Sequence, residues 1–392
     1  MQEYNTIIGK LLAGINRKKF NRITAKYNGD FAVKKLRCWE QFIAVFLGQI
    51  TKSDSLREIV DLIKFHSNQQ YHLGITKNIA RSTLAKANET RNWRIYRDLF
   101  FDLSDKFQHS VYRSKSDEII RIIDSTPINL NLVQHPWVER TMKVKGLKTH
   151  VVYDLTNKIP VLFDITGACT NDITCARNLL NIEKIEKGVT YIADRGYTDY
   201  NWWFDINNRG AYFVTRLKRN TRIKELTGLN NNCNYPEISS QVFVLTNKFP
   251  GGGRKNNYAD IPLKKVMVQR EDRSPLVLVT NDFQRSDKEI ADLYKQRWEI
   301  ELFFKWIKQN LKIKRFLGRS ENAIKTQICI AMIAYLLIKT TEELKNVCNS
   351  INNKNLLKII GNSLFNCLRL RDRGRKRYKD PNQLQFEWAI IQ

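Results

Sequence analysis

The sequence predicts an α/β protein: a mixed sheet with helices packed on it, preceded by an all-α segment and interrupted by a β-rich insertion. Three observations carry that prediction. Residues 36–87 show apolar side chains at helical spacing with capping signals. From residue 118 short β runs begin, first three in succession and then others alternating with helical stretches. Residues 217–275 lose helical periodicity and gain turn residues.

The elements follow in chain order. Residues 1–37 form a basic arm, rich in Lys and Arg against Glu3 and Asp30, and lead into a predicted helix over Leu36–Ile50. Ser55-Leu56-Arg57-Glu58 is a capping box that opens a second helix through Ile63, because the serine hydroxyl and the glutamate satisfy each other's orphan backbone N–H groups. Gly74 breaks the chain before a third helix, Asn78–Ala87. That helix fits the recognition helix of a helix-turn-helix, with Arg81, Ser82 and Lys86 exposed to DNA, and fits an ordinary three-helix bundle equally well. Residues 1–112 are thus expected to form a helical DNA-binding domain. Strands are expected at 118–124 (EIIRIID), 149–155 (THVVYDL), 159–166 (IPVLFDIT), 188–194 (GVTYIAD) and 211–216 (AYFVTR), with helices near 172–182 and 198–208. These make residues 113–216 the first part of an α/β core. Residues 217–275 read as a β-rich insertion, with a basic run (Lys218, Arg219, Arg222, Lys224), a Pro-Gly-Gly-Gly turn at 250–253 and β-like runs at 241–246 and 261–269. Residues 276–345 complete the core: a strand at 276–280, then a helix from Ser286 expected to run on through residue 312. The tail, 346–392, is basic between Arg369 and Lys379.

Composition narrows the partners. A formal net charge of +27 and a pI near 9.8 point to a polyanion, nucleic acid ahead of an anionic membrane. The 7 cysteines are scattered without a Cys-x-x-Cys pair, and the 5 histidines lie in the first 150 residues without metal-ligand spacing, so reduced thiols and no zinc site are expected. The start lacks a signal-peptide pattern, and the apolar run Ile328–Ile338 is too short to span a bilayer. A cytoplasmic, nucleoid-associated protein with no membrane partner is the expectation.

The chemistry concentrates in YKQRWEIELFFKWIKQNLK (294–312). At helical spacing Arg297, Glu301, Lys305 and Lys308 share one stripe about 80° wide, flanked by Leu293, Ile300, Phe303, Phe304 and Ile307 on one side and Trp298, Leu302 and Trp306 on the other. A carboxylate at such a core edge needs cationic neighbours or a metal ion. Glu299 lies off the stripe and is read as structural. Two further carboxylates, Asp124 and Asp194, close β runs and are followed by turn residues. Each alone fits a structural Asx-turn. On neighbouring strands, however, they would repel, and a bound cation is the natural remedy. Three hard oxygen ligands without His or Cys suit Mg²⁺ or Mn²⁺, and two such ions flanking a phosphodiester drive in-line displacement.

These residues resemble the DDE transposases of bacterial insertion sequences, in particular the insertion sequence four family with its Tyr-(2)-Arg-(3)-Glu-(6)-Lys signature. Here the signature is Tyr294, Arg297, Glu301 and Lys308, with every spacing intact, and IIDST, KGLKTH and ADRGY are also similar. The resemblance covers roughly residues 30–345. It implies an RNase H-like catalytic domain, Asp124, Asp194 and Glu301 as the metal-binding triad, and a β insertion between the second Asp and the Glu. It also implies that Tyr294, Arg297 and Lys308 grip DNA phosphates, consistent with the bidentate fork of Arg and the point charge of Lys. Lys305, on the same stripe, and Arg195, next to Asp194, join them as candidate DNA contacts. Lys145 and Lys148, in the segment 143–150, fit phosphate contact or a solvated hairpin. Some relatives stack a flipped base on a Trp of the insertion during hairpin cleavage. This insertion has no Trp, which leaves Trp298 as a platform or a core residue.

The function expected is a transposase that binds its element's terminal inverted repeats, cuts the ends and joins the 3′-hydroxyls to target DNA. Double-stranded DNA, two Mg²⁺ ions and a homodimer pairing the two ends go with it. A DNA-binding repressor and an RNase H-like nuclease without strand joining are the alternatives.

Overall fold

The computed structural model describes residues 6–112, 118–138, 140–141, 145–226, 237–249, 253–271, 273–311, 316–341 and 360–365. The basic run 369–379 and the Pro-Gly-Gly part of the 250–253 turn lie outside the described residues. The chain divides into two compact units, one of residues 1–110 with 306–392 and one of residues 111–305.

The first unit is helical: α1 (Ile7–Ala13), α2 (Arg17–Lys26), α3 (Cys38–Ile50), α4 (Leu56–Phe65), α5 (Arg81–Thr90) and α6 (Arg94–Tyr112). Ser55 caps α4 as its sequence requires, its hydroxyl accepting from the Glu58 N–H. All of α3 is buried, and the rings of Trp39, Phe46 and Tyr96 pack against Phe42.

In the second unit the described strands form one nine-stranded mixed sheet: β1 (Ile120–Asn129), β2 (Gly146–Asp154), β3 (Ile159–Gly167), β4 (Thr190–Ala193), β5 (Tyr212–Arg216), β6 (Ile223–Glu225), β7 (Ile238–Leu245), β8 (Pro262–Arg270) and β9 (Arg273–Thr280). Its order is 3-2-1-4-5-9-8-7-6. Strands β3, β2 and β1 pair antiparallel, then β1, β4 and β5 run parallel. Three antiparallel strands followed by two parallel ones, with helices α7 (Asp172–Leu179) and α8 (Tyr200–Asn208) in the connections, are the RNase H-like arrangement. The segment 217–275 contributes β6, β7, β8 and the start of β9 to this sheet. β9 pairs antiparallel with β5, and β8, β7 and β6 follow it, so the inserted strands continue the same sheet.

Helices α9 (Asp287–Lys295), α10 (Trp298–Asn310) and α11 (Glu321–Thr340) follow the sheet in the chain. The single helix expected from Ser286 through residue 312 is broken at Gln296–Arg297, where the Gln296 N–H bonds back to Asp292 and Leu293 and a new helix starts at Trp298. Propensity did not foretell this break, since neither residue is a helix breaker. α9 is pinned to the sheet by the buried ion pair of Asp287 with Lys264 on β8, 2.7 Å. α11 groups with the N-terminal helices. It is longer than the run Ile328–Ile338 and is the one helix among the described residues with the length and apolarity to cross a membrane. Most of it is packed inside its own unit, as a core helix is.

Candidate active site

The site is built on the register of β1, β4 and β5. Ile123 pairs with Ala193, so the next step along both strands brings Asp124 beside Asp194. The expectation that both aspartates close strands holds for β4 alone. β1 continues to Asn129, because its other edge pairs with β2, and Asp124 sits mid-strand opposite Val151. The β4–β5 register, Ile192 with Val214, carries Arg216 to the level of Asp194, and its guanidinium stands 3.9 Å from that carboxylate. Arg216 was not among the residues singled out from the sequence. Its signal was there: AYFVTR ends on a cation as GVTYIAD ends on an acid.

The break before α10 aims the third group. Arg297, in the turn, donates from Nη1 to Asp124 Oδ2 (3.1 Å) and from Nη2 to Glu301 Oε1 (2.6 Å). Tyr294, at the end of α9 and buried, donates its hydroxyl to Asp194 Oδ1 (3.3 Å). Burial pushes the Asp124 carboxyl up to about 6; the Ser125 N–H and the Arg297 charge pull it back, and Glu301 and Asp194 add to the rise. Burial works against the Arg297 charge as well, but the Glu301 hydrogen bond and the Asp124 charge outweigh it, so its pKa lies above the ordinary value. Burial and the Asp194 charge hold the Tyr294 phenol protonated, well above its usual range.

Four residues of the expected set, Asp124, Asp194, Tyr294 and Arg297, thus meet Glu301 in one cluster. Arg297 stands between Asp124 and Glu301, and among the described residues no group of three His, Cys, Asp or Glu side chains is placed to hold a metal ion as it stands. The donor set nevertheless fits a hard divalent cation: carboxylate oxygens alone, at a point where the fold already accommodates a positive charge.

Trp298 is not in a core; it is 59% exposed at the start of α10, and Leu302 one turn on is also exposed. Trp298 lines a cavity of about 910 Å³ with Arg216, Arg270, Lys288, Tyr294 and Arg297. Lys305 is exposed, Lys308 is half-buried in the helical unit, and Arg195 is exposed beside Asp194. Lys148 is occupied, donating to the Thr170 carbonyl (3.1 Å) and to Asp172 (3.2 Å), whereas Lys145 is exposed at the start of β2. Arg81 and Lys86 are exposed on α5. Glu299 faces Lys158 at 3.7 Å, away from the cluster.

Comparison with known proteins identifies the relatives of this chain. A family model described as Transposase DDE domain matches residues 115–337, and a domain of unknown function (DUF4372) matches residues 3–76. A putative transposase of Sinorhizobium fredii, y4zB, is 37% identical over 67% of this chain and 72% of its own. A probable transposase for insertion sequence element IS5377 of Geobacillus stearothermophilus is 27% identical over 66% of each. A putative transposase for element IS4SA of Synechocystis is 27% identical over 76% of this chain and 80% of its own.

Proposed function

This chain belongs to the DDE-domain transposases of insertion sequences, and from that membership we propose how its residues divide the work. It is a DNA transposase, an enzyme of metal-dependent DNA cleavage and strand transfer. The finer assignment is ours. Asp124, Asp194 and Glu301 would hold the metal, taken to be two Mg²⁺ ions with Mn²⁺ as substitute. Bound there, the ions supply a polarised phosphodiester, an activated water or 3′-hydroxyl and a stabilised leaving oxygen.

The rest falls to side chains. Arg297, released from Asp124 and Glu301, and Tyr294 and Lys308 would grip phosphates of the transposon end, and Arg216 and Arg195 would flank the cut strand. In the first step water attacks the phosphorus and the bond to O3′ breaks, leaving a 3′-hydroxyl. In the second, that hydroxyl attacks a target phosphodiester, and the new P–O bond replaces the one to the target's own 3′-oxygen. We further propose membership of the insertion sequence four subfamily, binding to terminal inverted repeats by the helical unit and the inserted strands, a homodimer that pairs two ends, and action in the cytoplasm at the nucleoid.

One observation carries this reading. Arg297 joins Asp124 and Glu301, 173 and 4 residues away, beside an Asp194 delivered by a parallel strand register. The test incubates purified protein and Mg²⁺ with a plasmid carrying the gene's flanking sequences, comparing wild type with Glu301→Gln. End-specific cleavage by wild type and none by the variant supports the assignment. Equal cutting by both removes Glu301 from it. Binding without cutting favours a repressor, and cutting without joining favours a nuclease.

A further inference from the structure

The turn between α2 and α3 plays no part in the chemistry above, yet it is built to hold a shape. The Gly29 N–H bonds to Thr24 O (2.9 Å), Phe31 N–H to Asn28 O (3.2 Å) and Val33 N–H to Asp30 O (3.3 Å). The Asp30 carboxylate accepts from the Cys38 N–H (2.7 Å), tying the turn to the start of α3. Asn28 and Ala32 are both in the left-handed region, at φ 51° and 55°. Gly29 is packed so tightly that a Cβ would meet Ile95 at 2.5 Å and Cys38 at 2.8 Å.

On this turn stands Phe31, 82% exposed. A single exposed aromatic ring is unremarkable by itself. Its surroundings are more specific, because Phe31 forms a ridge between two grooves and lines both. One, of about 730 Å³, lies against α5 and is lined by Lys34, Lys35, Lys86 and Arg91; no acidic residue lines it. Ser82, Thr83, Lys86, Ala87 and Thr90 of α5 all face it, which is one side of a helix. The other, of about 370 Å³, is lined by Arg17, Arg37 and Trp39, and its one carboxylate, Asp30, is committed to Cys38. An apolar ridge with cations in the hollow on either side matches a DNA groove, whose two walls are phosphate backbones and whose floor is stacked bases.

We propose that this ridge is a duplex-DNA wedge: Phe31 enters a groove and presses on a base step, Lys34, Lys35 and Lys86 hold the phosphates of one strand, and Arg17 and Arg37 hold those of the other. It deepens the reading that the chain acts on the ends of its own element, and it assigns a task to the region matched by a domain of unknown function. The wedge explains why a solvent-facing ring is mounted on so rigid a turn. Insertion transmits force to the base stack only if the ring cannot fold back.

The test uses the full-length chain in chelator, so that cutting plays no part, with a labelled duplex of one flanking end and a scrambled duplex of the same composition. Anisotropy reads affinity across a salt series, and energy transfer between the duplex termini reads bending. Phe31→Ala is expected to lose about 10-fold of the preference for the end over the scrambled duplex, along with the bend. Phe31→Leu, which keeps an apolar wedge, retains both. Lys34→Gln, Lys35→Gln and Lys86→Gln each weaken binding to the two duplexes alike and lower the salt slope by about 1. Unchanged preference and bending in Phe31→Ala overturns the proposal, as does an altered oligomeric state with DNA binding intact, which marks the ridge as a protein contact. Wild type that binds both duplexes equally counts against the end-recognition reading, and the bend then judges the wedge alone.

Discussion

Arg297 carries the opposing demands of the site. Two carboxylates at a core edge need a cation, and the guanidinium supplies it through one hydrogen bond to each. Because Arg297 and a divalent ion would serve the same carboxylates, they compete. Arg297→Gln should therefore lower the stability of chelated protein at pH 8 by about 1–2 kcal/mol, an amount kept small by the partial exposure of the cluster. It should also melt with a larger Mn²⁺-induced rise in Tm than wild type. Equal rises in the two proteins would rule out the competition. A second residue sets a pH limit. His150 is buried on β2 with its Nε2 at 2.8 Å from the Thr166 hydroxyl, and burial lowers its pKa to about 4, with Lys148 adding to the fall and Asp172 opposing it. Its folded pKa lies below the unfolded value of about 6.5, so between those values the unfolded chain binds more protons. Stability is then lost as pH falls from 6.5 through 4, by up to about 3 kcal/mol from this group. His150→Gln should flatten that part of the stability profile in urea melts. Legibility at this scale was uneven. Asp124, Asp194 and Glu301 stand out by residue type and position, whereas the Arg297 bond to Asp124 spans 173 residues and has no local trace.

At the scale of elements, the β1–β2 hairpin positions Asp124, and Gly146 opens its second strand. Its φ is +156°, and a Cβ there would stand 2.0 Å from the Ile128 carbonyl oxygen on β1. Gly146→Ala should cost about 2–3 kcal/mol or more, since neither backbone can yield without breaking the ladder. Gly196, beside Asp194, has open space around its Cβ position and no positive φ, so Gly196→Ala should melt close to wild type. Similar Tm losses in both would show that the clash is not the cause. The strand runs and the starts of α4 and α9 were legible because capping and alternation are local signals. The interruption at Gln296–Arg297 was not. Its residues suit a helix, and what separates α9 from α10 is the sheet to which Asp287 is tied and the carboxylates that Arg297 must reach.

Over the whole molecule, a charge of +27 dominates encounter with DNA. Non-specific duplex binding should fall by about 10³-fold or more between 50 and 200 mM salt if some 6 or more phosphates are contacted. A filter-binding salt series reads the slope, and a shallow one would mean that most of the excess cations never touch DNA. Family and chemistry could be read from the chain alone, because a motif such as Tyr294, Arg297, Glu301 and Lys308 is written at helical spacing within a few turns. Three things could not: the inserted strands extending the catalytic sheet, Arg216 arriving beside Asp194, and Phe31 standing between two cation-lined hollows. Each depends on which distant segments pair and in what register, and that is settled by burial and hydrogen bonding across the folded chain, where nearest-neighbour spacing carries no information.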